Sequence, residues 1–150
     1  MPQSFCKVYA HLIFSTRNRR RLLGSDIRSR VHGYLASLVR DFDSPYVVVG
    51  GVQDHVHILF AMAKTRTPVE FVRKLKRESS KFMKRLDDNA QDFCWQRGYA
   101  MFSVSPAKVS EAEKYVRNQE EHHRHRTFRE EVRAFLEKYG VDYDEAHVWD

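Results

Sequence analysis

Apolar and polar residues alternate over residues 5–15, with Val8, Ala10, Leu12 and Phe14 on one face and Tyr9, His11, Ile13 and Ser15 on the other, which predicts a first strand. Ile27, Val31, Tyr34, Leu35, Leu38, Val39 and Phe42 then recur at helical spacing, so a helix is expected over about residues 25–41. Pro45 closes that link. Residues 46–52 and 55–62 read as two strands joined by a short polar turn, its signal carried by Gly50-Gly51-Val52-Gln53-Asp54. Thr67-Pro68-Val69-Glu70 has the form of a capping box with proline at the first helical position. It opens a long helix whose inner stripe is Val72, Leu75, Ser79, Phe82, Met83 and Leu86 and whose other face is basic. Residues 99–104 supply a fourth strand, and Ser105-Pro106 starts a third helix that carries Tyr115 and Gln119. Thr127-Phe128-Arg129-Glu130 repeats the capping logic, and Gly140 stops the last helix.

The order strand, helix, strand, strand, helix, strand, then two helices predicts an α+β fold of the ferredoxin-like, RRM-like split βαβ kind. It has an antiparallel four-stranded sheet and C-terminal helices. With 150 residues, 42% hydrophobic and 13% aromatic, the chain can bury a core of its own, and residues 1–150 are read as one domain. No apolar run approaches the ~20 residues that span a bilayer, and the start lacks a secretory pattern, so a cytoplasmic protein with no membrane partner is expected. The formal charge of +6 and pI near 9.4 favour a polyanionic partner, nucleic acid ahead of a membrane surface. Cys6 and Cys94 are far apart in apolar contexts, so buried free thiols are expected rather than a disulfide.

Candidate chemistry starts from His55-Val56-His57. Two strand residues two apart point to one face, roughly 6–7 Å apart along the chain, which suits two ligands of one metal ion. With eight histidines in the chain a chance His-x-His is common, so the weight comes from the setting on a core strand. Tyr115 and Gln119, at i and i+4, share a helix face with Cβ atoms about 5–6 Å apart. The apolar stripe of that helix is Val109, Ala112 and Val116, which leaves Tyr115, Gln119 and His122 on a different flank. A tyrosine off the core stripe is free for chemistry. Beyond it, His122, His123 and His125 with Arg124 and Arg126 form a cationic knot that complements a helix C-terminus. Arg17, Arg19, Arg20 and Arg21 after the first strand, and Lys74, Arg77 and Lys81 on the second helix, are candidate phosphate contacts, with Tyr9 and Trp95 as candidate stacking platforms.

Four ordered blocks carry a family resemblance: His11-Leu12-Ile13-Phe14-Ser15-Thr16 before the basic run; Gly50 through Leu59 around the histidine pair; Trp95-Gln96-Arg97-Gly98-Tyr99; and Tyr115-Val116-Arg117-Asn118-Gln119-Glu120-Glu121-His122-His123. Together they make the chain resemble the single-tyrosine HUH transposases of the insertion-sequence-200/605 type, including relatives associated with repetitive extragenic palindromes. Neither histidine, the tyrosine nor the glutamine departs from the family pattern. The resemblance implies Tyr115 as nucleophile and His55, His57 and Gln119 as ligands of Mg2+ or Mn2+; for the cationic knot the alternatives to the helix-end reading are phosphate contacts, or His122 as a group just behind the metal ligands. It implies an enzyme that binds hairpins in single-stranded DNA and cuts and rejoins one strand through a 5′-phosphotyrosine. It also implies a homodimer, in which the tyrosine helix of one subunit could complete the histidines of the other, with residues 123–127 as the pivot. Two rivals are a domesticated, non-mobilising hairpin-binding protein and an unrelated metallohydrolase in which water attacks.

Overall fold

The computed structural model describes residues 2–150. Four antiparallel strands, β1 (Tyr9–Ser15), β2 (Val47–Gly51), β3 (His55–Ala61) and β4 (Ala100–Val104), form one sheet in the order β2-β3-β1-β4. Helix α1 (Ser25–Asp41) links β1 to β2, and α2 (Pro68–Leu86) links β3 to β4. Three further helices follow β4: α3 (Val109–Arg117), α4 (Gln119–His122) and α5 (Phe128–Lys138). Element and strand order are those of the expected α+β split βαβ sandwich.

The two faces of the sheet differ because each strand alternates. Ala10, Leu12 and Phe14 of β1 and Val56, Ile58 and Phe60 of β3 form one face, buried under Val31, Leu35 and Val39 of α1 and Phe71, Val72, Leu75 and Met83 of α2. The residues between them, His11, Ile13, His55, His57 and Leu59, point the other way. Leu59 packs on Val116 and Ala112 of α3, and Ile13 on Phe128, Val132 and Leu136 of α5. A purely apolar layer holds the fold on one side, and a layer interrupted by histidines lies on the other.

Several boundaries differ from those expected. β1 begins at Tyr9 rather than residue 5. Gly50 and Gly51 are the last residues of β2, so the turn is confined to Val52–Asp54. Thr67 accepts from Glu70 N, giving half of its capping box, whereas Thr127 and Glu130 cap each other in both directions. The third helix is interrupted: a 3-10 turn (Pro106–Lys108) precedes α3, and Asn118 leaves helical geometry between α3 and α4. Cys94 is half-buried and Cys6 exposed, so both thiols are free but neither is a core residue. Trp95 is not an exposed platform. It is 6% exposed, wedged edge-on between Phe14 and Phe93, and its indole N–H donates to Ser79 Oγ at 2.9 Å. No described helix is long and apolar enough to cross a membrane.

Gly50 decides how closely α3 approaches the sheet. A Cβ at this position would lie 1.9 Å from the carbonyl oxygen of Val116, an impossible contact with backbone that cannot swing away. Gly50→Ala should therefore lift the tyrosine helix from β2, at a cost of about 1–3 kcal/mol or more. The measurement is thermal unfolding, where a fall of at least roughly 3 °C is expected. An unchanged midpoint would show that α3 is not fixed by this contact.

Candidate active site

His55 and His57 are fully buried at the start of β3, under α4 and the segment that leads into α5. Each ring has an outward partner. His55 Nδ1 lies 2.7 Å from Asp54 Oδ1, and His57 Nδ1 lies 2.7 Å from Nε2 of His11, its diagonal neighbour across the β1–β3 ladder. The inward Nε2 atoms converge on Glu131. Its Oε1 is 2.9 Å from His57 Nε2, 3.1 Å from His123 Nε2 and 3.4 Å from His55 Nε2. Oε2 accepts the Tyr115 hydroxyl and lies 3.3 Å from His122 Nε2. His122 Nε2 in turn is 3.1 Å from Tyr115 Oη. Gln119, also buried, donates its Nε2 to Tyr115 O at 3.1 Å, which aims Oε1 at His55 Nε2, 3.4 Å away.

The structure thus brings together Tyr115, His55, His57, Gln119 and His122, all from one chain. It adds three side chains to which the sequence reading gave no such role: Glu131, His123 and His11. For His122 and His123 the helix-end reading is superseded, since both reach Glu131 instead of merely facing solvent at a helix terminus. Glu131 did leave a signal. Phe128, Val132 and Leu136 are the buried stripe of α5, and a carboxylate at 131 sits inside that stripe.

Charge in this cluster is set by burial against hydrogen bonding. Burial opposes ionisation of Glu131, but hydrogen bonds from His123, His55 and His57 outweigh it and hold the carboxyl far below the usual range. For His55, burial favours the neutral ring, yet the Asp54 and Glu131 bonds raise it to about 8. His57 goes the other way, down to about 4, chiefly through burial. His11 falls to about 3 through burial and repulsion from His57. Burial, then the charge and hydrogen bond of Glu131, push the Tyr115 phenol well above its ordinary value.

The donor set fits a divalent cation. Ligand atoms of His55, His57, His123 and Glu131 all lie within 4.8 Å of one another, and Gln119 Oε1 adds a neutral oxygen at the edge. Asp54 can keep the Nδ1 proton of His55, and His11 can accept one from His57 Nδ1, so both Nε2 lone pairs can serve as ligands. Without an ion the same nitrogens carry protons toward Glu131; the geometry supports both states.

The candidate DNA contacts are scattered. Arg21 lines a cavity of about 340 Å3 with Asp54, His123, Arg124 and Arg126, directly beside the cluster. Arg20 is paired with Asp92 at 3.0 Å, Arg17 is exposed, and Arg19 is half-buried with Nη1 lacking a hydrogen-bond partner. Lys74, Arg77 and Lys81 lie on α2, across the sheet from the histidines. Lys74 covers the Phe42 ring, and Arg77 and Lys81 face Glu78. One groove does not join them to the cluster on this face.

A split βαβ sheet carries the histidine pair on one face, and the tyrosine helix packs on that face through the glycine contact. The family described as "Transposase IS200 like" matches residues 4–119, which span all four strands, both histidines, Tyr115 and Gln119, and the chain belongs to that family. Among solved structures it is similar to a candidate transposase from Deinococcus radiodurans R1, at 21% identity and a TM-score of 0.62, covering 79% of this chain and 98% of that one. It is also similar to a REP-associated tyrosine transposase bound to a REP hairpin, at 12% identity and a TM-score of 0.55, covering 77% of this chain and 68% of that one. No curated protein matches this chain. His122, His123 and the whole of α5 lie beyond the matched residues.

Metal titration tests the donor set. Adding Mn2+ to the EDTA-treated protein should raise its thermal midpoint. His11→Ala should weaken that binding roughly 10–100-fold through loss of the partner of His57, and Glu131→Ala more. Because ligation needs a neutral His55 ring, raised to about 8, affinity should fall by up to about tenfold per unit as pH drops below that value. An Mn2+ response untouched by Glu131→Ala would remove α5 from the donor set.

Proposed function

We propose that this chain binds hairpins in single-stranded DNA, cleaves one strand by attack of Tyr115 on a phosphodiester, and reverses the step to join strands, acting as a homodimer. The observation that carries this reading is the meeting of Tyr115 Oη with the His55, His57, His123 and Glu131 cluster in a family member. As Oη bonds to phosphorus, the bond from phosphorus to the 3′ oxygen breaks, leaving a 5′-phosphotyrosine and a 3′-hydroxyl that takes up a proton. Attack of a 3′-hydroxyl on the phosphotyrosine restores the diester and the phenol.

Each residue has a task in that exchange. Glu131 Oε2 already accepts the Tyr115 hydroxyl and is placed to receive its proton, with His122 Nε2 3.1 Å from Oη as the other group in reach. Gln119 holds the tyrosine backbone and presents Oε1 to His55. A divalent ion held by His55, His57, Gln119, His123 and Glu131 would neutralise charge on the phosphate oxygens and help expel the 3′ oxygen. Imidazole nitrogens dominate this set, which suits Mn2+ better than the harder Mg2+. Arg21, Arg124 and Arg126, in the cavity beside the cluster, supply phosphate contacts more directly than the cations of α2. The hairpin carried by the REP-associated structural neighbour supports the choice of DNA.

Tyr115→Phe removes one oxygen and almost no volume, so hairpin binding should survive while cleavage and the covalent adduct vanish together. Denaturing electrophoresis of labelled single-stranded DNA with mass spectrometry of the adduct peptide is the measurement. An adduct in Tyr115→Phe would place the nucleophile elsewhere, and tight hairpin binding with no cleavage by the unmutated protein would leave only a binding protein. Replacing Arg21 and Arg124 together by alanine should flatten the salt dependence of binding by up to about 2 log units per log unit of salt.

A further inference from the structure

A second cavity, larger than the one at His123, has a volume of about 670 Å3 and opens at Tyr115. Its walls are the end of β4, α3 as far as Tyr115, and the face of α5 that carries Glu131, Ala134, Phe135 and Lys138, and its volume is in the range of small-molecule sites, roughly 300–1,000 Å3. One wall is aromatic. Phe135 meets the Tyr115 ring edge-on at 5.6 Å and lies parallel to Tyr139 at 6.0 Å, with Phe102 behind both. Tyr139 remains 47% exposed although it closes this stack. The rim is cationic. Lys108, Arg126 and Lys138 line the cavity, and Arg126 and Lys138 have no carboxylate partner among the described residues. Lys108 reaches only Glu111, at 3.4 Å, where both side chains are mostly exposed. Arg126 also lines the smaller cavity at His123, so the two cavities share one cation.

A packing explanation accounts for Phe102 and Phe135, which cover the Ile13 cluster. It does not account for a tyrosine left exposed, with Lys138 Nζ 5.5 Å from its ring centroid, at the mouth of a cavity that ends on Tyr115 and whose cations Arg126 and Lys138 have no carboxylate partner among the described residues. A base offers a flat face to such a ring, and its phosphate a charge to such cations. We infer that this cavity receives one nucleotide of the single strand next to the scissile phosphate, its base stacked on Tyr139 and Phe135 and its phosphate turned to Arg126, Lys138 and Lys108. The inference rests on the strand-cutting role of Tyr115 proposed above. Phe135 on α5 and Tyr139 just after it lie beyond the residues matched by the family, so the proposed stacking surface is carried mainly by the C-terminal segment.

The probe is decathymidylate, since stacking on aromatic rings tolerates any base. Fluorescein-labelled oligonucleotide is titrated by anisotropy, and a 5-iododeoxyuridine version is photo-crosslinked to the unmutated protein and mapped by mass spectrometry. The crosslink should fall in residues 134–139, and Tyr139→Ala should weaken binding about five- to hundredfold while Tyr139→Phe stays within twofold of the unmutated protein. Lys138→Gln, an exposed change that keeps every aromatic ring and removes only the ammonium over Tyr139, should lower the salt slope. Crosslinks confined to other segments, absence of binding, or a folded Tyr139→Ala that binds within twofold would each overturn the subsite; if Tyr139→Ala does not fold, the crosslink map and Lys138→Gln decide. Neither readout needs cleavage. A crosslink on α5 without any covalent adduct would sink the strand-cutting role and keep the subsite, and an adduct without that crosslink would do the reverse.

Discussion

The rest of the site depends on one buried carboxylate. Removing a charge from water costs several kcal/mol unless hydrogen bonds or counter-charges replace the lost solvent. Glu131 is 1% exposed, and its two oxygens are divided: three imidazoles on one, the tyrosine hydroxyl and His122 on the other. Because the partners come from β3, α3 and the link after α4, satisfying this one group fixes α5 against the sheet. The reciprocal Thr127–Glu130 cap starts α5 at the position that turns residue 131 inward.

The sheet divides labour between its faces. One face is closed by α1 and α2 through an uninterrupted apolar layer, so the histidines on the other need not contribute to the core. That other face has only two small apolar patches, one around Leu59 and one around Ile13, with the polar cluster between them. The bare backbone at Gly50 lets α3 sit directly on β2, and this close approach brings the Tyr115 ring within 5.8 Å of the His57 ring.

Much of this was legible in the sequence because it is local. Period-two alternation placed His55 and His57 opposite Val56 and Ile58 on β3, and the off-stripe position of Tyr115 on its helix pointed to chemistry. What escaped is non-local or depends on small backbone departures. Glu131 lies 74 residues from His57, and only the folded chain shows why a carboxylate is tolerated in an apolar stripe. The break at Asn118 carries no proline or glycine to announce it. Trp95 looked available as a stacking platform, but a single bridge from Thr16 to Trp95 turns its ring into the core. The cations of α2 share composition with a DNA groove, but topology puts them across the sheet, a distinction that charge counting cannot make.

The carboxylate that orders the site also restrains it. As long as Glu131 is anionic and accepts the Tyr115 hydroxyl, the phenol stays protonated and an approaching phosphate meets a like charge. Cationic neighbours offset that repulsion: His55, raised to about 8, carries a proton near neutral pH, and Arg126 stands at the junction of the two cavities. A cation bound at Oε1 and His55 Nε2 would replace the His55 proton in that role while leaving Oε2 free for the proton of Tyr115. The division of one carboxylate between an imidazole side and a phenol side is thus what allows a buried acid to serve both the ion and the nucleophile, and a shorter side chain such as aspartate at 131 could not reach both without drawing α5 toward the sheet.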